Sequence, residues 1–181
     1  ISMLNHGGEI MDLFLEAKQF NEDKNYISAI RCLKKILVLS PEEHGAMNMM
    51  GICHLENGSP YDAVKVFTTL LKKTNDIPLY WFNFGVAYKE LALKYPESTH
   101  LSQHKDCLNK ARTYHNKAIE LEPVNQLPYQ EIAETYILEC NYKLAEEWVN
   151  KAIGADDKVD IDDLDSMFML CRIYIFADKI S

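Results

Sequence analysis

Residues 81–88 read WFNFGVAY, and the same arrangement of side chains recurs at other places in the 181-residue chain. Residues 47–54 read MNMMGICH and residues 129–136 read YQEIAETY, with large residues at the first, fourth and eighth positions and Gly or Ala at the fifth. Residues 13–20, LFLEAKQF, form a weaker copy with Glu at the fourth position. Because spacings of three and four residues place side chains on one face of an α-helix, these segments predict four equivalent helices.

The small residues of these segments recur at a fixed interval of 34 residues, apart from one interval of 48, which is 34 with a 14-residue insertion. A second series of alanines shows the same intervals with the insertion in the same place, and a large residue follows each alanine after four positions. The two series are Ala17, Gly51, Gly85 and Ala133, and Ala29, Ala63, Ala111 and Ala145. Two series in phase indicate repeated pairs of helices, with the small residues where the two helices cross closely.

This pattern resembles the tetratricopeptide repeat (TPR) family, whose repeat combines a large residue, a small residue, an aromatic residue and then an Ala. The resemblance covers nearly the whole chain and implies an all-α fold. The expected architecture is a right-handed superhelical solenoid of about four TPR-like helical hairpins with a C-terminal helix and a lengthened third hairpin. The expected single domain, 1–181, has repeats at approximately 10–43, 44–77, 78–125 and 126–159, and 160–181 forms a capping helix or half repeat.

The positions of proline and of the insertion refine the helix boundaries. Pro60 and Pro78 stand where helices are expected to begin, since a missing N–H costs nothing there. The insertion lies between Tyr88 and Ala111 and is expected to lengthen both helices of the third hairpin by about two turns, either as an added contact surface or as a tolerated insertion. The predicted hairpins are 8–21 with 26–39, 44–57 with 60–73, 78–95 with 98–121, and 126–139 with 142–155.

The composition excludes several classes of function. The chain has 27 acidic residues against 19 Lys and Arg, a formal net charge of −8, and no basic stripe, so we predict no nucleic-acid partner. No run approaches 18 apolar residues, so we predict no membrane span in this segment. The five cysteines form no CxxC pair and are typical of reduced thiols, which favours a cytoplasmic protein.

Catalytic and metal-binding patterns are weak. The sequence lacks HExxH, GxSxG and a Gly-rich phosphate loop, so we predict no enzyme, no catalytic residue and no cofactor. His100, His104 and Cys107 have the spacing of ligands on one helical face, but no fourth ligand is specified; we predict no metal site and solvent-exposed histidines. An aspartate-rich segment lacks the Gly and the final Glu of a calcium loop and is expected to solvate a linker and the start of the last helix. Its members are Asp156, Asp157, Asp160, Asp162, Asp163 and Asp165.

The resemblance implies that the first helices of successive hairpins line a concave peptide-binding groove. The residues assigned to this groove are Phe14, Lys18, Asn48, Ile52, Leu55, Phe82, Asn83, Val86, Gln130, Glu134 and Ile137. Relatives that bind acidic C-terminal tails use a clamp of Lys, Asn, Asn, Lys and Arg. The positions in this chain that match the clamp are Phe14, Lys18, Met49, Leu79 and Asn83, or Asn48, Ile52, Asn83, Leu127 and Glu131, so the clamp is absent.

These observations predict a protein-interaction module, an adaptor, scaffold or chaperone-like protein, that binds an amphipathic helix or extended peptide in an apolar-centred groove with an acidic surround. One alternative is a scaffold that assembles with its own copies through its terminal repeats, because Met167, Leu170, Cys171 and Tyr174 begin an unfinished fifth unit. Another alternative is a regulatory TPR segment of a larger multidomain enzyme.

Overall fold

The computed structural model describes residues 6–155 and 161–178, and the described part is all-α, with nine helices and no strand. Every helix that the repeat pattern predicts is present, and its ends lie within two residues of the predicted ones. The helices are α1 (Gly7–Glu22), α2 (Tyr26–Leu39), α3 (His44–Glu56), α4 (Pro60–Lys73), α5 (Pro78–Leu93), α6 (Glu97–Leu121), α7 (Leu127–Leu138), α8 (Tyr142–Ile153) and α9 (Ile161–Asp178).

The chain forms two compact units, 1–75 and 76–181, called unit 1 and unit 2 below. Unit 1 contains the hairpins α1–α2 and α3–α4, and α2 packs on α3. Unit 2 contains the hairpins α5–α6 and α7–α8 followed by α9; α6 packs on α7, α8 packs on α9, and the first helices α5, α7 and α9 contact one another in that order. Each unit therefore repeats the same arrangement of neighbouring hairpins.

The turns inside three hairpins share one backbone conformation. Lys24, Gly58 and Cys140 have φ values of 58°, 73° and 56°, in the left-handed region that Gly adopts without strain. These three residues occupy equivalent positions of the 34-residue repeat once the 14-residue insertion is taken into account. In two of these turns the next residue, Asn25 or Asn141, accepts a hydrogen bond from the N–H three positions later and caps the second helix. The repeat therefore extends to the backbone conformation of the turns.

The two glycines of the repeat pattern lie where a ring from the second helix approaches the backbone of the first. A Cβ atom at Gly51 would lie 2.5 Å from Cζ of Phe67, and a Cβ atom at Gly85 would lie 2.5 Å from Cε1 of His115. Phe67 and His115 are both fully buried. The structure thus gives the physical reason for small residues at these positions, as the repeat pattern predicts.

The insertion in the third hairpin is distributed differently from the prediction. α5 has 16 residues against 13 in α3, about one extra turn, whereas α6 has 25 residues against 14 in α4, about three extra turns. The prediction of two extra turns in each helix is therefore wrong. His100, with φ −135° and ψ 42°, interrupts the helical backbone of α6, so the added first turn meets the rest of the helix at a kink.

His104 ties the start of the extension to the end of α5. Its side chain is buried, and Nδ1 lies 3.0 Å from the carbonyl oxygens of both Ala92 and Tyr95. Because both partners are acceptors, Nδ1 carries the hydrogen and donates to them. The last carbonyls of a helix lack partners within the helix, and His104 provides one. The expectation of a solvent-exposed histidine is wrong here, although His100 is exposed.

The last helix, α9, is held on unit 2 by a buried polar contact as well as by apolar packing. Ile173 joins the buried cluster around Ala133, Ala145 and Val149. Asp163 is buried and accepts a hydrogen bond of 3.0 Å from Nε2 of Gln126, which corrects the expectation that this carboxylate solvates a linker. Asp165 is exposed, as expected. Asp156, Asp157, Asp160 and the side chain of Asp162 lie outside the residues described.

Candidate functional site

The predicted groove residues of unit 1 lie on α1 and α3. Phe14 is partly buried against the apolar core of this unit, and its Cζ would lie 3.9 Å from a Cβ atom at Gly45, at the start of α3. Lys18 is exposed and lies 3.9 Å from Glu22. Asn48, Ile52 and Leu55 are half-buried along α3. Unit 1 therefore presents a partly apolar first-helix surface on which Lys18 already has an acidic neighbour.

The predicted groove residues of α5 differ in exposure. Phe82 is half-buried, and its ring centre lies 5.5 Å from that of His115. Val86 is half-buried one turn further along the helix. Asn83 is 8% exposed, so its side chain belongs to the interior of the hairpin. Phe82 and Val86 are thus the two predicted residues of α5 that retain accessible apolar surface.

Helix α9 engages the predicted groove residues of α7. Gln130 is buried, and its Nε2 donates a hydrogen bond of 2.9 Å to Oγ of Ser166. Glu134 forms an ion pair of 3.2 Å with Arg172. Ile137 is 8% exposed in the same cluster as Ile173. These three side chains therefore stabilise the packing of α9 on α7 in this structure.

A cavity of about 180 Å³ opens beside Phe82, where the starts of α5 and α7 meet the end of α6. Most of its wall is apolar. Leu79 and Leu127 are 51% and 43% exposed at this cavity. The lining consists of Ile77, Pro78, Leu79, Phe82, Ala118, Glu122, Asn125, Leu127 and Pro128.

Sequence reasoning assigned Phe82 but did not assign the rest of this cavity. The sequence does contain a pattern that points to this cavity. Leu79 and Leu127 are 48 residues apart and therefore occupy the same position in successive repeats. Both also occupy positions where the carboxylate clamp of the resembling proteins would place polar residues. The structure shows that these two leucines flank one apolar opening.

A second cavity, of about 330 Å³, lies in unit 1 between α2, the end of α3 and the start of α4. Its wall carries Arg31 and Lys34 together with Asp62 and His54. Burial lowers the pKa of His54, and the opposite effects of Asp62 and Lys34 on it are secondary. Since these charges partly offset one another, this wall selects no ligand class as clearly as the apolar wall beside Phe82.

Two ion pairs in unit 2 join α7 to the two helices of the preceding hairpin. Lys89 of α5 lies 2.5 Å from Glu131 of α7, and both side chains are largely shielded from solvent. Arg112 of α6 binds both carboxylate oxygens of Glu139, at 2.9 and 3.3 Å, and lies over the ring of Tyr136. Two parallel hydrogen bonds make such an arginine pair directional. These contacts fix the spacing of the helices that carry the cavity.

The three buried cysteines, Cys32, Cys53 and Cys107, are poorly suited to nucleophilic chemistry. Burial raises the pKa of the Cys53 thiol to about 11 and also raises the pKa values of Cys32 and Cys107. A thiol with a raised pKa has little reactive thiolate at neutral pH.

The described residues contain neither a metal-binding cluster nor a membrane-spanning helix. Among residues 6–155 and 161–178, no group of three or more His, Cys, Asp or Glu side chains is arranged to hold a metal ion. Within the same part of the chain, none of the helices combines the length and apolar character needed to cross a bilayer.

Solved structures share the fold along most of the chain. TTC0263, a thermophilic TPR protein of Thermus thermophilus, superposes with a TM-score of 0.73 at 17% identity, covering 92% of this chain and 81% of TTC0263. YrrB, described as a TPR protein with an unusual peptide-binding site, gives a TM-score of 0.65 at 17% identity and covers 87% of this chain and 74% of its own. An IFIT1 monomeric mutant with Gppp-AAAA gives 0.80 at 18% identity, covering 97% of this chain and 40% of IFIT1.

These similarities establish that the chain has the TPR fold. No family model matches the sequence, and no curated protein matches it significantly.

Proposed function

We propose that this chain is a protein-interaction module that binds an amphipathic helix or an extended peptide through apolar anchor residues. The observation that carries the proposal is the apolar cavity beside Phe82, flanked by the exposed side chains of Leu79 and Leu127. A concave apolar site with few polar groups at its edge is typical of a ligand pocket. Its volume of about 180 Å³ suits one or two apolar side chains rather than a whole small-molecule ligand.

The charge of unit 2 indicates which peptides the cavity prefers. Residues 76–181 contain 18 Asp and Glu against 11 Lys and Arg, a formal charge of −7. Glu122 and Asn125 are the polar residues of the cavity wall. An acidic surface accelerates association with basic partners and disfavours acidic ones. The proposed ligand therefore presents apolar anchors flanked by Lys or Arg.

The first-helix surface of unit 1, with Phe14, Ile52 and Leu55, belongs to the same proposal as a further apolar contact area. Each apolar anchor that becomes fully buried contributes roughly 1.5–3 kcal/mol, from which the cost of ordering the ligand is subtracted. Two or three anchors then give a dissociation constant of about micromolar. The IFIT1 structure was solved with Gppp-AAAA, whereas the formal net charge of −8 of this chain favours a protein ligand over a nucleic acid.

A display library of 16-residue peptides, selected on the whole chain, tests the proposal. We expect the selected peptides to carry spaced apolar residues with flanking Lys or Arg. Leu79→Glu should weaken their binding about ten-fold or more, because a carboxylate at the rim is desolvated by an apolar ligand. The dissociation constants are measured by fluorescence anisotropy.

Leu93→Glu is the matched control, because Leu93 is 51% exposed, as Leu79 is, but lies at the other end of α5 and does not line the cavity. It should leave binding unchanged. If Leu79→Glu and Leu93→Glu affect the selected peptides equally, or if no peptide is selected, the assignment of the cavity as the binding site is wrong.

A further inference from the structure

Helix α2 is the basic element of an acidic chain. It carries Arg31, Lys34 and Lys35 and no acidic residue, whereas the chain as a whole has a formal net charge of −8. Arg31 and Lys34 lie one turn apart on this helix, and both line the cavity of about 330 Å³ in unit 1. This cavity, called the basic cavity below, therefore receives two of the three cations of α2.

Arg31 differs from the other arginines in having no carboxylate partner. Arg112 binds Glu139, and Arg172 pairs with Glu134 at 3.2 Å. In the part of the chain that the structure describes, neither Arg31 nor its neighbour in the cavity, Lys34, forms an ion pair. Unpaired cations that face one concave site attract an anion, because the surrounding protein concentrates their field there.

The other elements of the basic cavity add neutral hydrogen-bonding groups. His54 comes from α3, Asn57 follows the end of that helix, and Ser59 precedes α4 with a hydroxyl that makes no capping hydrogen bond. Burial lowers the pKa of His54, so its ring is neutral at pH 7 and one ring nitrogen donates. Donors from two helices and the turn between α3 and α4 thus line the same space as the two cations.

Asp62 is the acidic residue of this wall. Its carboxylate lies 3.5 Å from Nζ of Lys65, which offsets its charge. Arg31 and Lys34 therefore leave the basic cavity positive. Asp62 still repels an anion to some extent, and this effect gives the proposal below a test of its own.

The basic cavity also has an apolar part. Ile27 precedes Arg31 by four residues, and Ile30 precedes Lys34 by four, so each cation shares a helical face with an isoleucine. Both isoleucines line the cavity, and Ile27 is 62% exposed. A ligand that uses the whole site has an anionic group joined directly to an apolar carbon group.

The number of donors indicates which anion the cavity suits. A carboxylate has two oxygens in one plane, and a single arginine binds both. Two cations together with the neutral donors suit the three oxygens and nearly double charge of a phosphate monoester. The volume of about 330 Å³ is at the lower end of the range for ligand pockets, roughly 300–1,000 Å³, and is sufficient for an aryl phosphate group.

We propose that the basic cavity binds a phosphate monoester, with the phosphate at Arg31 and Lys34 and an apolar carbon group against Ile27 and Ile30. A free organic phosphate and the phosphotyrosine side chain of another protein share this chemistry. The basic cavity belongs to unit 1 and the cavity beside Phe82 belongs to unit 2, so this proposal does not depend on the proposed function.

Phenyl phosphate is the first probe, titrated into the ¹⁵N-labelled whole chain and followed by amide chemical shifts. We expect saturable shifts, largest for residues 27–34 and 54–62, with a dissociation constant of about 1 mM. Inorganic phosphate lacks the apolar group, and benzoate has a carboxylate in place of the phosphate. Each should bind several-fold more weakly than phenyl phosphate.

Three substitutions on α2 test the assignment of the cations. Arg31→Gln and Lys34→Gln should each weaken the binding of phenyl phosphate about ten-fold or more, because each removes a hydrogen bond to a charged group. Lys35→Gln is the matched control. It removes the same charge at the adjacent position of α2, and Lys35 does not line the cavity. Its effect should be less than about two-fold, since an exposed charge outside the site is screened.

Asp62→Asn should strengthen the binding of phenyl phosphate about two-fold or more, because it removes a repulsive charge from the wall. A gain in affinity distinguishes a direct electrostatic effect from general damage to the fold, which would only weaken binding. Circular dichroism of each variant checks that these exposed substitutions leave the helices intact.

A short blocked peptide with a central phosphotyrosine among alanines distinguishes the two sources of the ligand. Tighter binding of this peptide than of phenyl phosphate would assign the basic cavity to a phosphorylated protein. Equal or weaker binding would assign it to a free organic phosphate.

Three results would overturn the proposal. The first is the absence of saturable shifts at roughly 10 mM phenyl phosphate. The second is equal affinity for phenyl phosphate and for benzoate or inorganic phosphate, which would indicate general attraction of anions. The third is an equal loss of affinity in Lys34→Gln and Lys35→Gln.

Discussion

A methyl group at Gly51 has no space in the folded hairpin, since it would lie 2.5 Å from Cζ and 2.7 Å from Cε1 of the buried ring of Phe67. The equivalent pair, Gly85 and His115, shows the same closeness. Pairs with Ala in place of Gly have Leu33 or Val149 in place of the ring. The small residue and its partner are therefore one unit of packing, and a change in one requires a change in the other.

Gly51→Ala is expected to destabilise the chain by about 1–3 kcal/mol, because the added methyl group overfills a packed contact by more than it gains in helix propensity. Phe67→Leu in the same chain should recover part of this loss, since the pair then resembles Ala17 and Leu33. Urea unfolding measures both. Gly8→Ala is the control, because no atom lies within 4 Å of its added Cβ; equal losses at Gly8 and Gly51 would contradict the packing argument.

His115 occupies the position of Phe67 in the third hairpin, and its two ring nitrogens are buried without a hydrogen-bond partner among the described residues. Burial lowers its pKa from 6.5 to about 3, and the nearby Lys89 acts in the same direction. The folded chain therefore holds a neutral imidazole, whereas the unfolded chain binds a proton below pH 6.5.

This difference predicts a loss of stability in acid. The contribution of the neutral His115 is complete above pH 6.5 and falls by about 1.4 kcal/mol for each pH unit between 6.5 and the folded pKa near 3. His115→Phe removes the titration. Urea unfolding at several pH values should show the two chains diverging below pH 6.5, with the variant the more stable; parallel curves would show that His115 is accessible to protons in the fold.

Among the second helices of the hairpins, α6 differs most from α2, α4 and α8, because it is longer and its added first turn is kinked. Pro96 precedes the first turn of α6, and His100 breaks the helical backbone one turn later. His104 then turns inward to the end of α5. Leu91 and Leu108 are buried in this hairpin, while Leu101 remains 45% exposed. The extension is therefore held near its base by His104 and by apolar contacts, and its tip is solvated.

His104→Ala is expected to destabilise the chain by about 1–3 kcal/mol, because the carbonyls of Ala92 and Tyr95 lose their buried donor. His100→Ala is the control, since His100 is exposed on the same helix. Thermal unfolding of the two variants compares them directly. A similar melting temperature for both would mean that water replaces His104 without cost.

At the scale of the whole molecule, the hairpins within each unit contact their neighbours in sequence, so stability is close to a sum of local terms. Gly51→Ala should therefore raise amide hydrogen exchange in α3, α4 and the adjacent α2. Exchange in α7, α8 and α9 should be unchanged under conditions that favour the native state. Mass spectrometry of exchanged peptides measures this, and a uniform rise across all helices would show that the chain unfolds only as one cooperative body.

The sequence by itself determined the helices and their pairing. This was possible because the 34-residue repeat places residues of the same type at equivalent positions in four successive hairpins. The series with Gly51 and Gly85, together with Pro60 and Pro78 at helix starts, was sufficient to place both ends of each helix from α1 to α8 within two residues. The apolar positions within each helix follow from the same periodicity, since side chains three or four residues apart share a face.

Tertiary structure alone decided which side chains remain accessible. Gln130, Glu134 and Ile137 fit the groove pattern, but α9 contacts them, and no feature of α7 states how α9 packs. Periodicity likewise gives no reason for His104 to point toward the end of α5, or for the cavity to open beside Phe82. Periodicity identifies the face of a helix, whereas burial depends on residues far away in sequence that fold against that face.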